Sequence, residues 1–248
     1  MTNTLAIVMA AGKGTRMNSD LPKVLVPVCG RPMIDYVLDT LERLGVGSVL
    51  VVVGYRAEMV RAALAERRNV AFVEQAQQLG TGHAVMMCRQ QLQAHQGPVI
   101  VLAGDSPMMR RDSLAKLVDE YERSRPACII GTATKDNPHG LGRIVRDAAG
   151  DFQAIVEEKD CTDPQRRITE VNMSCYLFDA AELLVALDHI QANNAQGEYY
   201  VTDSPGALRR HGRRVLALPV LKPVEALSIN TVEELKVVEQ AMRSENRG

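Results

Sequence analysis

The chain has 248 residues, of which 46% are hydrophobic and 24% charged, and its formal net charge is -1 at pH 7. Such a chain can bury a sizeable core, and its near-neutral charge gives no global basic field for nucleic acid or membranes. Aromatic residues make up only 4% and tryptophan is absent, which argues against stacking platforms for single-stranded nucleic acid. We therefore expect a globular protein with neither nucleic-acid nor membrane partners.

The five cysteines form no C-x-x-C pair, and their odd number favours reduced thiols over a disulfide framework or a zinc site. The N-terminus has no basic region ahead of its apolar run, and that run is too short for a signal peptide or a membrane span. Together these features predict a cytoplasmic protein.

A buried strand is predicted at Leu5–Met9, and it leads into a loop that contains Gly12 and Gly14. Three cations lie in or just after that loop: Lys13, Arg16 and Lys23. Glycines lack a Cβ, so backbone N–H groups can approach phosphate oxygens, and the cations neutralise the remaining charge. This stretch predicts a site for a nucleoside triphosphate.

The spacing within the loop excludes two familiar phosphate-binding motifs. The dinucleotide fingerprint G-x-G-x-x-G needs a third glycine for close helix–strand packing, and Met17 stands there instead. The P-loop pattern G-x-x-x-x-G-K-[ST] does not occur in the sequence. An idle turn with solvated cations is the remaining alternative, and three cations beside two glycines are unusual for it.

Strands and helices alternate through the first half of the chain. A helix is predicted to begin at residues 31–33, with Pro32 in its first turn, and to run to Leu44 before Gly45 caps it. The elements that follow are predicted at Val49–Val53 (strand), Val60–Leu64 (helix), Val70–Val73 (strand), Ala84–Leu92 (helix), Val99–Ala103 (strand) and Asp112–Arg123 (helix). This order predicts an α/β fold with a doubly wound, mostly parallel, Rossmann-like sheet.

The second half favours a small mixed β extension beside this sheet. Strands are predicted at Ile129–Ala133, Arg143–Val145, Phe152–Glu157, Glu170–Phe178 and Val215–Val220. Helices are predicted at Ala180–Ile190, at Tyr200–His211 with Pro205 marking or kinking its start, and after a capping box at Thr231–Glu234. No linker or repeat divides the sequence, so we predict a single domain over residues 1–248.

Two further polar residues follow apolar segments. Asp105 comes directly after the strand that ends at Ala103, so the doubly wound order places it at the same sheet edge as the glycine loop. Asn230 lies between a short apolar segment and the capping box. Position alone assigns neither residue a function, because each is also a common turn or cap residue.

Eight motifs, in order along nearly the whole chain, carry a resemblance to a known family. They are residues 10–17 (AAGKGTRM), 21–23 (LPK), 75 with 78–84 (Q, QLGTGHA), 104–105 (GD), 140–144 (GLGRI), 155–159 (IVEEK), 170–172 (EVN) and 193–203 (NNAQGEYYVTD). This set resembles the sugar-1-phosphate nucleotidyltransferases. Within them it is most similar to the N-acetylglucosamine-1-phosphate uridylyltransferases, the N-terminal half of bacterial bifunctional uridylyltransferase/acetyltransferases.

The resemblance implies a role for each matching residue. The nucleotide would be wrapped by Met9, Ala10, Ala11, Gly12 and Gly14, and its uracil read by Gln75, Gly80 and Thr81. Arg16 and Lys23 would act on the triphosphate as the catalytic cations, and Asp105 and Asn230 would coordinate Mg²⁺. The sugar end would comprise Ala103, Gly104, Gly142, Glu157, Asn172, Tyr199 and Thr202. Residues 1–125 would mainly bind UTP, and residues 126–248 would mainly bind the sugar 1-phosphate.

The implied reaction is in-line attack by a sugar-phosphate oxygen on the α-phosphorus of UTP, which expels pyrophosphate. The nucleophile is already an anion, so no general base is needed. Catalysis would come from positioning and from charge neutralisation by Mg²⁺, Arg16 and Lys23. Mg²⁺ takes oxygen ligands and few of them from protein, so one aspartate and one asparagine suffice.

Three departures from the family concern the sugar and the assembly. The family's trimerising β-helix, which bears the acetyltransferase site, is not in this sequence, so we expect a monomer or a weak homo-oligomer. Ala103 stands where the family typically has tyrosine, and Met173-Ser174 where it has Thr-Gly. These changes leave nucleotidyl transfer supported and the identity of the sugar open.

Two other functions compete with this interpretation. One is a nucleotidyltransferase for a different sugar 1-phosphate or nucleotide, and the other is a catalytically silent binder of UDP-sugars. Retention of all four residues that would act on phosphate or metal argues against the silent binder. The five histidines show no metal-ligand spacing and are interpreted as surface or packing residues. His83, however, lies beside the base-reading loop, residues 75–81, which contains the three residues implied to read uracil.

Overall fold

The computed structural model describes residues 3–17, 19–227 and 229–245. The strands are β1 (Leu5–Ala10), β2 (Pro27–Val28), β3 (Arg31–Pro32), β4 (Ser48–Val53), β5 (Val70–Glu74), β6 (Pro98–Ala103), β7 (Cys128–Thr134), β8 (Gly142–Arg146), β9 (Phe152–Val156), β10 (Glu170–Asp179) and β11 (Val215–Leu218). The helices are α1 (Met33–Leu44), α2 (Ala57–Ala63), α3 (Thr81–Met86), α4 (Arg89–Ala94), α5 (Arg111–Ser124), α6 (Asp163–Arg166), α7 (Ala180–His189), α8 (Asp203–Arg210) and α9 (Val232–Glu245).

Nine strands form one mixed sheet in the order β11-β7-β10-β6-β1-β4-β5, with β8 paired to β10 and β9 paired to β8. The pairs β6-β1, β1-β4, β4-β5 and β7-β11 are parallel, whereas β10 runs antiparallel to β6, β7 and β8. The first half of the chain therefore forms the parallel part, and the second half extends the same sheet. The predicted fold class is confirmed.

Helices cover both faces of the sheet, and alternate side chains of β1 pack against the helices on opposite faces. Ala6, Val8 and Ala10 pack into one apolar layer with side chains of α1, α2 and α5. Leu5 and Ile7 pack into the opposite layer with side chains of α3, α4, α7 and α8. Successive side chains of a strand point to opposite faces, so a continuous apolar run is what a doubly covered strand requires.

The helix predicted from Ala84 to Leu92 is wrong as a single element. The structure has two short helices, α3 and α4, which meet at residues 87–88. The N–H of Cys88 donates to the carbonyl of Val85 at 3.0 Å, three residues back, and so tightens the turn. The break leaves both Cys88 and Leu92 buried, and the apolar periodicity does not reveal it.

A two-residue hairpin precedes α1 and was not predicted. Strands β2 and β3 pair across Cys29 and Gly30, whose φ angles are 48° and 83°. Two positive φ values in succession are typical of the tight turns that join antiparallel strands. The hairpin takes Arg31 and Pro32, so α1 begins at Met33 with Pro32 as its N-cap.

The second-half elements lie near their predicted positions, but the short helix α6 was not predicted, β11 ends at Leu218 and not at Val220, and two helix starts differ. Helix α8 begins at Asp203, so Pro205 lies in its first turn, where its missing N–H costs no bond. The cap of α9 is also not the reciprocal box that was predicted. Thr231 Oγ1 accepts from the N–H of Glu234 at 3.2 Å, but the Glu234 carboxylate accepts from the N–H of Asn230 at 2.6 Å. This bond holds the backbone of Asn230 at the start of the helix.

No helix in the described ranges is long and apolar enough to cross a membrane. All five cysteines are free thiols; Cys29 is exposed and the other four are buried. Burial raises the pKa of the Cys88 thiol to about 12, which keeps it protonated and inert at neutral pH.

Candidate active site

Strands β1 and β6 bring two predicted site segments to one edge of the sheet. They are parallel neighbours, and Met9 pairs in register with Ala103. The chain therefore leaves both strands at the same edge, into the glycine loop on one side and into Gly104 and Asp105 on the other. The N–H of Gly104 donates to the Met9 carbonyl at 2.9 Å, which continues the pairing one residue beyond β6.

The glycine loop folds back on itself and positions Lys23. Gly14 has a φ of 66°, and a Cβ added there would lie 2.8 Å from the Cβ of Lys23. The N–H of Lys23 donates to the carbonyl of Gly12 at 3.3 Å. A side chain at position 14 would push Lys23 away, so the absence of a Cβ is a steric requirement of this turn.

The side chains predicted to act on phosphate and metal converge on one point. The Lys23 ammonium contacts a carboxylate oxygen of Asp105 and donates to Asn230 Oδ1 at 2.8 Å. Arg16 Nη2 donates to the same Asn230 oxygen at 3.2 Å. Lys23 and Asp105 keep 15% and 25% of their side-chain surface, so the cluster is open to a ligand. The structure thus unites four residues that lie up to 214 positions apart in sequence.

A cleft of about 380 Å³ extends from this cluster along the sheet edge. Lys23, Ala103 and Asp105 line it. So do most of the residues predicted to bind nucleotide, namely Met9, Ala10, Ala11, Gly12, Gln75, Gly80 and Thr81. An adjoining cavity of about 340 Å³ is lined by Lys13, Gly14, Thr15, Arg16, Lys23 and Asn230. Lys23 lines both cavities, so one elongated ligand can occupy the two together.

Gln75 and Gly80 hold the base-reading part of the cleft in one conformation. The Gln75 side chain is 2% exposed, and its Nε2 donates to the Gly80 carbonyl at 3.0 Å. Gly80 has a φ of 107°, and a Cβ there would lie 2.4 Å from the Tyr199 carbonyl. That carbonyl accepts from the N–H of Gly82 at 2.7 Å. Tyr199 therefore supports the base-reading loop from behind and is not a wall of the cleft.

Most of the predicted sugar residues form a second group, which is tied to the cleft through β10, the strand that contains both Asn172 and Ser174. A Cβ built on Gly142 would lie 3.4 Å from a carboxylate oxygen of Glu157 and 3.5 Å from the Cβ of Asn172. Burial raises the pKa of the Glu157 carboxyl above its ordinary value, and a hydrogen bond from Thr202 offsets part of that shift. The fold thus brings together four of the predicted sugar residues, Gly142, Glu157, Asn172 and Thr202. Gly104 is not among them, because it is buried against Val8 and Met9 of β1.

Two buried polar atoms near this group lack a hydrogen bond of good geometry within the described ranges: Asn172 Oδ1 and the Tyr176 hydroxyl. Burial raises the pKa of the Tyr176 hydroxyl, and weaker hydrogen bonds with the side chains of Asn172 and Ser174 offset part of that shift. Leaving such a group unbonded costs about 1–3 kcal/mol. Both residues lie in β10, on either side of an irregularity in its pairing with β7, and Ser174 between them has a φ of 49°. A non-glycine residue in this conformation beside orphaned polar atoms is typical of a functional site.

Four polar residues of the cleft region were not assigned from the sequence. Gln78, Ser174 and Glu198 line the cleft, and His83 lies behind Gln75 with its Nδ1 3.0 Å from Gln75 Nε2. Gln78, His83 and Glu198 fall inside the motifs that carry the resemblance, so their position was a usable signal. Ser174 lies outside these motifs and was marked only as a departure from the family, because its exposure to the cleft depends on the irregularity in β10.

A larger cavity, of about 510 Å³, lies between α1, the β2–β3 turn and the start of α5. It is lined by arginines such as Arg31 and Arg43, but it includes none of the predicted site residues. Because Arg31 pairs with Asp39 at 2.9 Å, part of the positive charge there is already neutralised. The residues predicted to act on phosphate and metal line the smaller cleft and the cavity that adjoins it.

Residues 6–173 match the family described as the MobA-like NTP transferase domain. The chain belongs to this family. The bifunctional protein GlmU of Streptococcus gordonii is 44% identical to it over 243 residues, and GlmU of a Geobacillus species is 42% identical over 243 residues. Each alignment covers 98% of this chain and 52% of the relative. This NTP transferase domain therefore spans about half the length of the curated relatives it matches.

Solved structures share the fold at low sequence identity. A putative glucose-1-phosphate thymidylyltransferase from Bacillus anthracis in complex with a sucrose superposes with a TM-score of 0.78 at 17% identity, covering 97% of this chain and 95% of that one. A UDP-glucose pyrophosphorylase complexed with UDP-glucose has a TM-score of 0.77 at 16% identity, covering 98% and 99%. These likenesses concern the fold, and with the family match they confirm that the chain is a nucleotidyltransferase.

The donor set at the centre of the site fits Mg²⁺. The Asp105 carboxylate and the Asn230 amide oxygen already share one cation, the Lys23 ammonium. Oxygen ligands of this kind are what Mg²⁺ prefers, and it usually takes only one or two from protein when phosphates supply the rest. The described ranges contain no cluster of three or more His, Cys, Asp or Glu that could enclose a metal without such phosphates.

Proposed function

We propose that this NTP transferase transfers a uridylyl group from UTP to N-acetylglucosamine 1-phosphate and releases pyrophosphate. The observation that carries the proposal is the convergence of Lys23, Asp105 and Asn230 at the mouth of the cleft. The GlmU relatives, at 42–44% identity over 98% of this chain, support the choice of substrates. These relatives are bifunctional proteins, and this chain spans about half of their length. The proposal therefore concerns only the transfer of the uridylyl group.

The reaction follows from what the residues can do to phosphate charge. The uracil end of UTP would lie against Gln75 and Gly80, which line the cleft, and its triphosphate would extend past Gly12 towards Lys23 and Arg16 in the adjoining cavity. An oxygen of the sugar phosphate attacks the α-phosphorus, the bond from that phosphorus to the β-phosphate oxygen breaks, and pyrophosphate leaves. Lys23 and Arg16 stabilise the charge that develops on the phosphoryl oxygens.

Asp105 and Asn230 would hold Mg²⁺, which supplies charge neutralisation and orientation of the phosphates. The attacking oxygen carries a negative charge in the substrate, so no residue needs to accept a proton. The binding energy of the two substrates then serves to align the nucleophile with the leaving group. At the sugar end, Glu157 and Asn172 offer a carboxylate and an amide to hydroxyl and amide groups of the sugar.

A second substrate remains a candidate because of two residues at the sugar end. Ala103 and Ser174 both line the cleft, and both differ from the residues typical of the resembled family. A smaller side chain at 103 leaves space for a bulkier or differently substituted sugar 1-phosphate. The nucleotidyl transfer step would be unchanged.

The test is pyrophosphate release measured over four nucleoside triphosphates and several hexose and hexosamine 1-phosphates, with Mg²⁺ present. The proposal expects the highest kcat/KM for UTP with N-acetylglucosamine 1-phosphate. A preference for another sugar phosphate would favour the second candidate. Tight UDP-sugar binding without turnover for any pair would mean that the chain is a binder and would contradict the proposal.

A further inference from the structure

The amide of Gln75 is fixed by two neighbours in the cleft wall. Gln75 directly follows β5, and its Nε2 lies 3.0 Å from the Gly80 carbonyl oxygen and 3.0 Å from His83 Nδ1. Its backbone N–H donates to the Val53 carbonyl at 2.8 Å, so the residue is also anchored to the sheet. With the side chain only 2% exposed, solvent offers it few alternative partners.

Donor and acceptor chemistry decides the orientation of this amide. A backbone carbonyl oxygen can only accept, so the NH₂ group of Gln75 and not its oxygen must face Gly80. The second N–H of the same nitrogen then points to His83 Nδ1, which must act as an acceptor. This hydrogen bond requires the tautomer of His83 that carries its proton on Nε2. Both donors of the Gln75 amide are used inside the protein.

What is left for a ligand is the Gln75 carbonyl oxygen, an acceptor. Uracil presents a ring N3–H, which an acceptor binds, whereas cytosine has an unprotonated N3 at that position, which an acceptor repels. We propose that His83 is a positioning residue that locks the Gln75 amide and thereby makes the cleft select bases with a ring N–H over cytosine. This inference rests on the proposed function only in placing the base against Gln75.

The contribution of His83 can be separated from that of Gly80. Rotating the amide by 180° would bring its oxygen against two acceptors, the Gly80 carbonyl and His83 Nδ1. Without His83, only one of these repulsions remains, so the reversed amide becomes accessible and can donate to cytosine N3. We therefore expect loss of this one contact to change the preference between the two bases about tenfold, which corresponds to about 1.4 kcal/mol.

The experiment compares UTP and CTP binding by titration calorimetry, with Mg²⁺ and without sugar phosphate, so that no turnover occurs. The variants are His83→Leu, which removes the acceptor, and His83→Asn, whose Oδ1 takes the place of the imidazole Nδ1. His95→Leu is the matched control. His95 is likewise half-buried, but it lies at the opposite edge of the sheet, with its Nε2 3.3 Å from the Pro98 carbonyl.

We expect the wild type and His95→Leu to bind UTP at least tenfold more tightly than CTP. His83→Leu should lower that ratio about tenfold, and His83→Asn should restore most of it. An unchanged ratio in His83→Leu, or no preference for UTP in the wild type, would overturn the inference. Failure of the proposed function has a different signature, namely selective UTP binding with no pyrophosphate release.

A second measurement needs no variant. Long-range ¹H–¹⁵N correlation spectra of the wild-type chain without nucleotide report which nitrogen of each imidazole carries the proton. The inference expects His83 to be protonated at Nε2 only at neutral pH. A signal from a protonated Nδ1 would show that His83 cannot accept from Gln75, and it would refute the lock even if His83→Leu failed to fold.

Discussion

Lys23 is the residue on which the account of catalysis depends. Its ammonium contacts Asp105 and Asn230, and its backbone N–H donates to the Gly12 carbonyl, so one residue joins the cations of the loop to the oxygens of the proposed metal site. From the sequence, Asp105 was predictable at this edge because it follows β6. The position of Asn230 in the sequence did not predict its place at this edge of the sheet, because Asn230 follows no strand of the parallel part and lies near the start of α9.

Lys23→Ala should lower kcat for pyrophosphate release by about 100-fold or more, because it removes a charge aimed at the reacting phosphates. The fold should survive, since the bonds that Lys23 makes to Gly12 and Val26 use its backbone. Lys116→Ala, at an exposed position on α5, is the control for loss of a surface lysine. A Lys23→Ala enzyme with a wild-type rate would remove the triphosphate role from this loop.

Glu157 gives a prediction in which stability and binding change in opposite directions. Burial raises the pKa of its carboxyl above the ordinary value of 4.5, so the folded state binds the proton more strongly than the unfolded state does. The wild type therefore loses stability as pH rises from that value through the raised pKa. Glu157→Gln should raise the melting temperature at pH 7 and raise KM for the sugar 1-phosphate about tenfold, with KM for UTP nearly unchanged.

The pH dependence supplies the control for that variant. As pH falls through the raised pKa towards 4.5, Glu157 becomes protonated in the folded wild type, and the difference in melting temperature between wild type and Glu157→Gln should shrink. Thermal unfolding of both proteins between pH 4 and pH 8 measures this. A constant difference across the range would show that the stability effect does not come from the buried charge.

At the scale of elements, the glycine loop contains two glycines with different requirements. No atom lies within 4 Å of a Cβ added to Gly12, whereas Gly14 has a φ of 66° and its added Cβ would meet the Lys23 side chain at 2.8 Å. Sequence inspection gave both residues the same role. The structure separates them, because only Gly14 is needed for the loop to close on Lys23.

Gly12→Ala should therefore fold with a nearly unchanged melting temperature but bind UTP at least tenfold more weakly, since the new methyl group projects where Gly12 lines the cleft. Gly14→Ala should lose about 1–2 kcal/mol of stability from its left-handed backbone and should also displace Lys23. Thermal unfolding and UTP titration of the two variants decide this. Equal stability losses would contradict the distinction.

Sequence patterns predicted the central strands of the sheet but not every break and turn between elements. Apolar runs predicted β1, β4 and β6, because a strand covered on both faces must be apolar throughout. The break between α3 and α4 was missed, since residues on both sides of Cys88 keep a helical period. The β2–β3 hairpin was missed as well, because Cys29 adopts a positive φ that a cysteine rarely takes.

At the scale of the whole molecule, the nucleotide and sugar parts share one sheet. Strand β10, from the second half, pairs with β6 from the first half and with β7 and β8 from its own half. Removing residues 126–248 would leave β6 as an open edge and uncover its apolar faces. The single domain inferred from the lack of a linker remains a prediction, and this pairing supports it.

A shared sheet should unfold as one cooperative unit. We predict one calorimetric transition, with a calorimetric enthalpy equal to the van't Hoff enthalpy. UTP with Mg²⁺ should shift the whole transition upward, because its binding energy stabilises every part that unfolds together. Two resolved transitions, only one of which moves with UTP, would indicate separate nucleotide and sugar domains.

The central claim is that this chain alone forms a UDP-sugar by uridylyl transfer at the Lys23–Asp105–Asn230 site. In the most direct measurement, the protein is incubated with Mg²⁺, N-acetylglucosamine 1-phosphate and UTP that carries ³²P at its α-phosphate. The fate of the label and the amount of pyrophosphate are then measured in the same samples. The account predicts that the label appears in UDP-N-acetylglucosamine in one-to-one ratio with pyrophosphate, and that Lys23→Ala loses both. Label that stays in UTP, or that enters UMP without a UDP-sugar, would contradict it.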